Sequence, residues 1–505
     1  MINKLLKNWI FLLSLLVIVL AFFLSYIFPD LWIREGFSND FFKGGFYFCG
    51  FFSALWLLQN HVILFRKEKC LRSLIICVGA ATVFLWTYKH KITFRMDLLL
   101  LFLCGFYSLV YRKWIMPDRV MIVFFLLIIL RFLGILWTED KSFAWEDVNT
   151  DKLYFLLFAF ITCIGFRTKE QESMSFITLC FKLFLLLLTL NISAYIFIQK
   201  AINLHFFSFL AFNKGYMNYY ELLLGWSIFK HPSFIAWIML VIWGLGVLVW
   251  RKNKELISLP EVILYGVLLF CFVFMLQARV AIIGFPLCLL ILGWFYISKE
   301  WTIRKRIITE IGLFSMGLLG IYWLVTHTTF FADSAREKMF IKAKESINNH
   351  FIIGAGTSYE KLLAKETIGL VHIHNDFLAT FIDLGIVGFS LLLLWIFTIY
   401  QKGIYNKDNY IIYCLMIFLL FMNTDVILNY QPGVFILLPF LIPNESNFNS
   451  EVPLTFTPAS FSTLIFEENV FAKLTNSFPG LVCNPVSFTI STVLLFISSI
   501  LSYYI

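Results

Sequence analysis

Two histidines two residues apart, in His372-Ile373-His374-Asn375-Asp376, stand immediately before a long apolar run. An imidazole exchanges its proton near neutral pH, so a His at such a boundary can act as a general base toward a hydroxyl. Arg279, in Leu276-Gln277-Ala278-Arg279, stands where one apolar run ends and the next begins. Its guanidinium is a permanent cation whose planar donor fork suits phosphate oxygens. A third polar group, Lys230-His231-Pro232-Ser233, opens another apolar run. Ionisable groups at membrane depth are costly to place and are functional candidates by default. A second reading stays open on these residues alone. A His at a span boundary can be simply interfacial, and an Arg there can snorkel to headgroups. His372 and His374 also raise the question of a metal, with Asp376 as the nearest third ligand. Zinc pairs on helices use other spacings, so no metal is expected at this motif. The acidic stretch from Glu139-Asp140 to Glu146-Asp147 is a rival place for a divalent ion, against the simpler reading of a solvated loop.

These residues need a frame to hold them, and the composition says which kind. Of 505 residues, 60% are hydrophobic and only 14% charged, and 60 are Phe. A soluble domain carries about 25% charged residues and cannot hide so much apolar surface. The chain reads as an all-α polytopic membrane protein. Its net charge of +9 is not gathered on one soluble face. The basic residues fall in short clusters between apolar runs, such as Arg66-Lys67-Glu68-Lys69, Arg251-Lys252-Asn253-Lys254 and Arg304-Lys305-Arg306. That is the pattern of cytoplasmic loops, and it argues against nucleic acid as a partner. The Cys residues lie mostly inside apolar runs without a CxxC pair, as small buried hydrophobes do.

A crossing helix needs roughly 20 apolar residues. On that measure spans are expected near 9–28, 45–65, 71–87, 96–111, 119–137, 152–166, 173–198, 232–250, 257–276, 280–298, 307–326, 376–400, 409–427 and 431–443, about 12–14 in all once the short runs are weighed. Lys4 and Lys7 before the first run resemble a signal peptide. No small-residue cleavage site follows, so a retained first helix is expected. With the N-terminus inside, segments 66–72, 112–119, 167–172, 251–255, 299–306 and 402–408 fall in the cytoplasm and are basic or mixed. Lys89, Lys91 and Arg95 run against that rule. The outer side receives 139–151, 199–231 and one long loop, 327–374, before the His motif. Within that loop 333–349 reads as a helix capped by Asp333 or Ser334, followed by the turn Gly354-Ala355-Gly356. Three regions result: N-terminal spans over 1–118, a transmembrane domain over 119–443 that includes the loop, and a divergent tail over 444–505 with room for one more span.

The ordered motifs then resemble those of the O-antigen ligase and polymerase family. They are Ile353-Gly354-Ala355-Gly356, His372-Ile373-His374-Asn375-Asp376-Phe377-Leu378 and Asp383-Leu384-Gly385-Ile386-Val387-Gly388. That family's pattern is a GxG turn, then HxHNxxL, then an acidic E/D-x-G-x-x-G inside the next helix. Leu133 to Asp140, His231-Pro232-Ser233, Arg279, Arg336, Asn423-Thr424-Asp425 and Gly433 are similar in order, so the resemblance runs over roughly 120–440.

The resemblance implies a metal-independent, cofactor-free glycosyltransferase that takes glycan from an undecaprenyl-pyrophosphate carrier on the outer side of a bacterial inner membrane. The acceptor would be carbohydrate, either lipid A core or a growing chain. By position, His374 and Arg279 become the catalytic residues, with Arg336, Lys230, His372 and Asn375 toward the substrates. The family often has an Arg just before its HP motif. Here Trp226-Ser227-Ile228-Phe229-Lys230 has none, and Lys230 is the nearest cation. The competing class is a transporter or flippase for the same lipid-linked glycans, which charges midway along many spans would favour. Arg131 and Lys182 are exceptions in spans that are otherwise largely uncharged.

Overall fold

The structure is a computed structural model, which describes residues 9–32, 40–45, 47–51, 67–87, 92–150, 154–201, 231–276, 278–302, 305–310, 312, 334–369, 372–423, 435 and 438–441. The described elements are helical throughout, with no strand among the described residues. In chain order the helices are α1 (Trp9–Ile27), α2 (Lys67–Leu85), α3 (Ile92–Tyr111), α4 (Arg119–Leu133), α5 (Lys141–Thr150), α6 (Tyr154–Gly165), α7 (Glu170–Ala201), α8 (Pro232–Lys252), α9 (Leu259–Leu276), α10 (Arg279–Ile297), α11 (Ser334–Asn349), α12 (Tyr359–Ile368), α13 (Asp376–Tyr405) and α14 (Asn409–Met422). Eight described helices are long and apolar enough to cross a membrane. The chain is a polytopic helical membrane protein. The expected spans 45–65, 307–326 and 431–443 lie largely outside the described residues, as does the tail 444–505. The expected span 409–427 is described as far as Asn423.

Leu- and Phe-rich sequence makes α7 apolar on every side, and a helix of that kind belongs in an interior. It packs against α1, α2, α8 and α9 and is buried along most of its length. Its 32 residues, longer than the expected 173–198, span about 48 Å, more than a bilayer core of about 30 Å. The outlying α1 leaves most of its side chains toward the surroundings, as a lipid-facing helix must.

Helix starts follow local capping chemistry. Asp118 accepts from Met121 N at the start of α4, and Asp408 accepts from Tyr410 N and Ile411 N at the start of α14. Pro232 occupies the first turn of α8, where no N–H is needed. The basic segments assigned to the cytoplasm gather at one end of the bundle. Arg167 and Lys402 both reach Asp118, at 2.9 and 2.8 Å, and Arg72 joins Glu172 to the Arg167 carbonyl. Lys252 pairs with Glu170, while Arg306 bonds Glu310 and Asn409. Arg95 stands exposed near the far end of α3 from this network, so the departure from the charge rule persists there.

Two stretches differ from expectation. The acidic segment after Glu139 contains helix α5, started by Asp140, whose carboxylate accepts from Phe143 N at 2.8 Å. The long loop holds the expected helix over 334–349, with Asp333 outside the described residues, and also a second helix, α12. Neither α5 nor α12 has a continuous apolar stripe, which is why a reading keyed to hydrophobic runs passes over them.

The feature that organises the opposite end is a break inside α13. Gly385 adopts φ 61° and ψ −161°, which interrupts the helical hydrogen bonds around it. The carbonyls of Ile382 and Asp383 and the amides of Ile386 and Val387 are thereby released. The loop 351–356 takes up all four. Ala355 N donates to Ile382 O and Gly356 N to Asp383 O, both at 2.9 Å, while Ile386 N and Val387 N donate to Phe351 O and Ile352 O at 2.9 and 3.3 Å. Buried backbone groups demand such partners, so break and loop require each other. A Cβ on Gly385 would stand 2.4 Å from Ile352 O, and one on Gly354 would stand 2.3 Å from the Asp383 carbonyl carbon. Gly385→Ala therefore meets both a disfavoured φ and a backbone clash. We expect it to destabilise the protein by about 2–4 kcal/mol, seen as a lowered unfolding temperature in detergent, while Gly293→Ala, in open space on α10, leaves that temperature unchanged.

Candidate functional site

The site forms where several helix ends converge at the end of the bundle remote from the basic network. The six-residue link from Asn253 to Ser258 makes α9 run back along α8, so α9 ends near the start of α8. Arg279 then opens α10 there, half-buried. α8 packs against α10, α14 and α9. His231, immediately before α8, has its ring 6.4 Å from that of His374, and His374 lies 4.4 Å from His372. Three histidines from two distant parts of the chain thus meet. His372 is buried, His374 half-buried and His231 exposed, so the group leads from the protein interior to its surface. The first residues of α8, α10 and α13 bring three helix N-termini to this end, each favouring negative charge.

His374 has φ 58°, the left-handed region, which a side chain other than Gly enters only where its surroundings hold it there. Fixed groups stand on both sides of it. On one side, Asn375 caps α13: its Oδ1 accepts from Leu378 N at 2.9 Å, and its Nδ2 donates to the Asn423 carbonyl at the end of α14 at 3.2 Å. On the other side, Ile373 N donates to Glu360 Oε2 at 3.2 Å. Asn375 therefore spends its amide inside the protein, at the joint between α13 and α14. Lys230 lies outside the described residues. Arg336 falls within α11, and its side chain lies outside the described part of the structure.

Beneath the histidines is a set of charges that the sequence motifs only partly mark. Asp383, in the acidic E/D-x-G-x-x-G element, does not face solvent. Its carboxylate accepts from Ser358 N at 3.0 Å and Glu360 N at 2.9 Å. The start of α12 is thus capped by a carboxylate from another helix, because Ser358 itself makes no side-chain cap. Arg131, buried in α4, donates to Thr380 at 3.0 Å and lies within electrostatic reach of Asp383, Asp376 and Glu360. Thr357 donates its hydroxyl to the Arg131 carbonyl and its amide to Gly134 O, which fastens the end of α4 to the same loop. Asp147, from the acidic segment, pairs with Lys361 at 2.8 Å and accepts from the Ser358 hydroxyl at 2.5 Å. Burial, reinforced by the neighbouring Asp383 carboxylate, holds the Glu360 carboxyl well above the ordinary carboxylate range.

Glu360 and Lys361 were not anticipated. They stand between the Gly turn and the His motif, in a stretch whose polar composition reads as a solvated surface. The available signal was position, since both fall between two motifs that must meet. Lys182, a second cation within a span, is paired with the buried Glu261 at 3.2 Å. Among the described residues, no three His, Cys, Asp or Glu side chains are grouped as metal ligands are.

Fold and site together define a polytopic helical membrane protein with a His- and Arg-bearing site at one end of its bundle. Residues 264–393 match the family model described as O-antigen ligase, so this part of the chain is similar to that family. The matched region contains Arg279, the Gly turn, the His motif and the break at Gly385. No curated protein and no solved structure matches the chain.

The Asp147–Lys361 pair ties α5 to α12, and its two side chains are only 12% and 6% exposed. Removing one partner strands the other charge. Asp147→Ala should cost about 3–5 kcal/mol of stability, and adding Lys361→Met to it should recover most of that loss. The measurement is thermal unfolding of the single and double variants. Equal destabilisation of the two would mean that the pair does not hold these helices together.

Proposed function

We propose that the protein transfers a glycan from a polyprenyl-pyrophosphate carrier, undecaprenyl pyrophosphate in the family reading, to a carbohydrate acceptor. The acceptor is lipid A core or a growing chain. Transfer takes place on the outer face of a bacterial inner membrane. The observation that carries this reading is the meeting of His231, His372 and His374 at the end where Arg279 opens α10, with His372, His374 and Arg279 inside the region that matches the O-antigen ligase family. The six basic segments at the opposite end support the orientation, because basic loops mark the cytoplasmic side.

In the proposed step an acceptor hydroxyl oxygen attacks the anomeric carbon as the bond from that carbon to the pyrophosphate oxygen breaks. The hydroxyl proton passes to the His374 imidazole, and the bonding electron pair leaves with the pyrophosphate. Displacement in one step inverts the anomeric centre. Arg279 binds the phosphate oxygens, where negative charge grows, and contacts of this kind gain strength where water is excluded. Three converging helix N-termini add to the attraction. His372 lies beside the base, and Lys230 and Arg336 are further cations for the donor. Asn375 contributes by holding the turn. No metal takes part in the step as the family resemblance implies it. Transport of the same lipid is the weaker reading, because Lys182 and Arg131 are engaged by Glu261 and Thr380 within the bundle.

The test is transfer by purified protein from a defined polyprenyl-pyrophosphate-linked glycan to a carbohydrate acceptor, with donor binding measured in parallel. His374→Ala should lower turnover about 10²–10⁴-fold and leave donor binding nearly intact. Arg279→Ala should weaken donor binding as well as turnover. Arg279→Lys should restore little, because an ammonium lacks the planar fork. Transfer should continue in EDTA. Near-normal turnover in His374→Ala would remove it as the base, and His372 would be the next residue to test.

A further inference from the structure

Glu360 lies fully buried, yet it carries an ionisable group and sits outside the matched sequence motifs. One carboxyl oxygen, Oε2, accepts from Ile373 N at 3.2 Å. The other, Oε1, is buried and makes no hydrogen bond among the described residues. A buried polar atom left without a hydrogen bond is costly, and an apolar side chain of similar size would avoid that cost. Packing alone therefore does not account for a Glu at this position. What the carboxyl does make is a bond to the amide between the two histidines of the motif.

That amide is well placed to matter. His374 holds a left-handed backbone conformation, and the residues on either side of it are pinned by different elements. Asn375 is fixed by its cap on α13 and by the Asn423 carbonyl. Ile373 is fixed by Glu360 from α12. Glu360 is itself fixed from below, because its backbone amide donates to Asp383 beside the break in α13. The charged groups around it are Asp383 from α13, Arg131 from α4, Asp147 from α5 and Lys361 on its own helix.

We infer that Glu360 is a positioning residue for the transfer reaction, setting the pose of His374 by holding the Ile373 amide against α12. The inference rests on the proposed function for its catalytic half. The chain of contacts runs from the helix break through Asp383, α12 and Glu360 to Ile373 and the base. A displacement of the order of an ångström at a reacting group can cost about 10²-fold in rate, so one hydrogen bond at this place is enough to govern turnover. The Ile373 amide needs only an acceptor oxygen for this task, and Gln supplies one.

The test compares Glu360→Met, of similar volume without an acceptor, with Glu360→Gln. Hydrogen–deuterium exchange is read at the peptide containing Ile373, together with kcat and donor KM in the transfer assay. Glu360→Met should speed exchange at that peptide, lower kcat about 10- to 100-fold and leave donor KM within about twofold. Glu360→Gln should bring exchange and kcat back to within about threefold of the wild type. Fast exchange at Ile373 in the wild type, or unchanged exchange in Glu360→Met, overturns the inference. So does a kcat that stays normal while exchange speeds, or a Glu360→Gln protein as impaired as Glu360→Met. If Glu360→Met does not fold, the wild-type exchange rate and the Gln variant still decide. A wild-type protein with no transfer activity overturns the functional reading, and the exchange arm then shows separately whether Glu360 holds the segment.

Discussion

A helix that breaks in apolar surroundings releases backbone groups that must find partners, and at Gly385 four are released together. The 351–356 loop meets all four, with two amides donated into the break and two carbonyls offered to it. This exchange places the Gly turn against α13, and the Gly turn in turn carries α12 and the connection to the His motif. The two glycines are needed for space as well as conformation, because backbone stands where a Cβ would be at each. The break thus divides α13 into a first part bearing the site and a second part, Ile386 to Tyr405, of about 30 Å, sufficient by itself to cross a bilayer.

Charge follows the same division of labour. At the basic end, Asp118, Arg167 and Lys402 form a closed network. At the opposite end the buried acids Asp376, Asp383 and Glu360 lie within electrostatic reach of Arg131, while Lys361 pairs with Asp147. Toward the surface stand the half-buried His374 and Arg279 and the exposed His231, along with exposed carboxylates such as Glu139 and Glu366. Acidic residues build the platform, and histidines with an arginine stand on it.

Much of this was legible in the sequence. Hydrophobic runs marked α1, α3, α4 and α7 to α10, and the Lys and Arg clusters marked segments that do collect at one end. Spacing also brought His231, Arg279 and His374 to one face before any contact was known. The break at Gly385 was not legible as a break, because Asp383-Leu384-Gly385-Ile386-Val387-Gly388 sits in a continuous apolar run whose periodicity does not register a single dihedral. Glu360 and Lys361 escaped because α12 is polar in composition. Its buried face is created by elements far away in sequence: α5, α13 and the end of α4. Asn375 reads toward the substrates from the resemblance, and nothing in the sequence marks the cap on α13 or the contact with the Asn423 carbonyl that the structure adds.

The central claim is that the lipid-linked pyrophosphate is received at the outer helix ends, between Arg279 and the His372–His374 pair. The most direct measurement is a structure of the full chain in lipid with a polyprenyl-pyrophosphate-linked glycan bound. The account predicts pyrophosphate density within hydrogen-bonding distance of the Arg279 guanidinium and the anomeric carbon on the side facing His374. Pyrophosphate bound instead at the Asp118, Arg167 and Lys402 end, or donor density remote from Arg279 and His374, would contradict it.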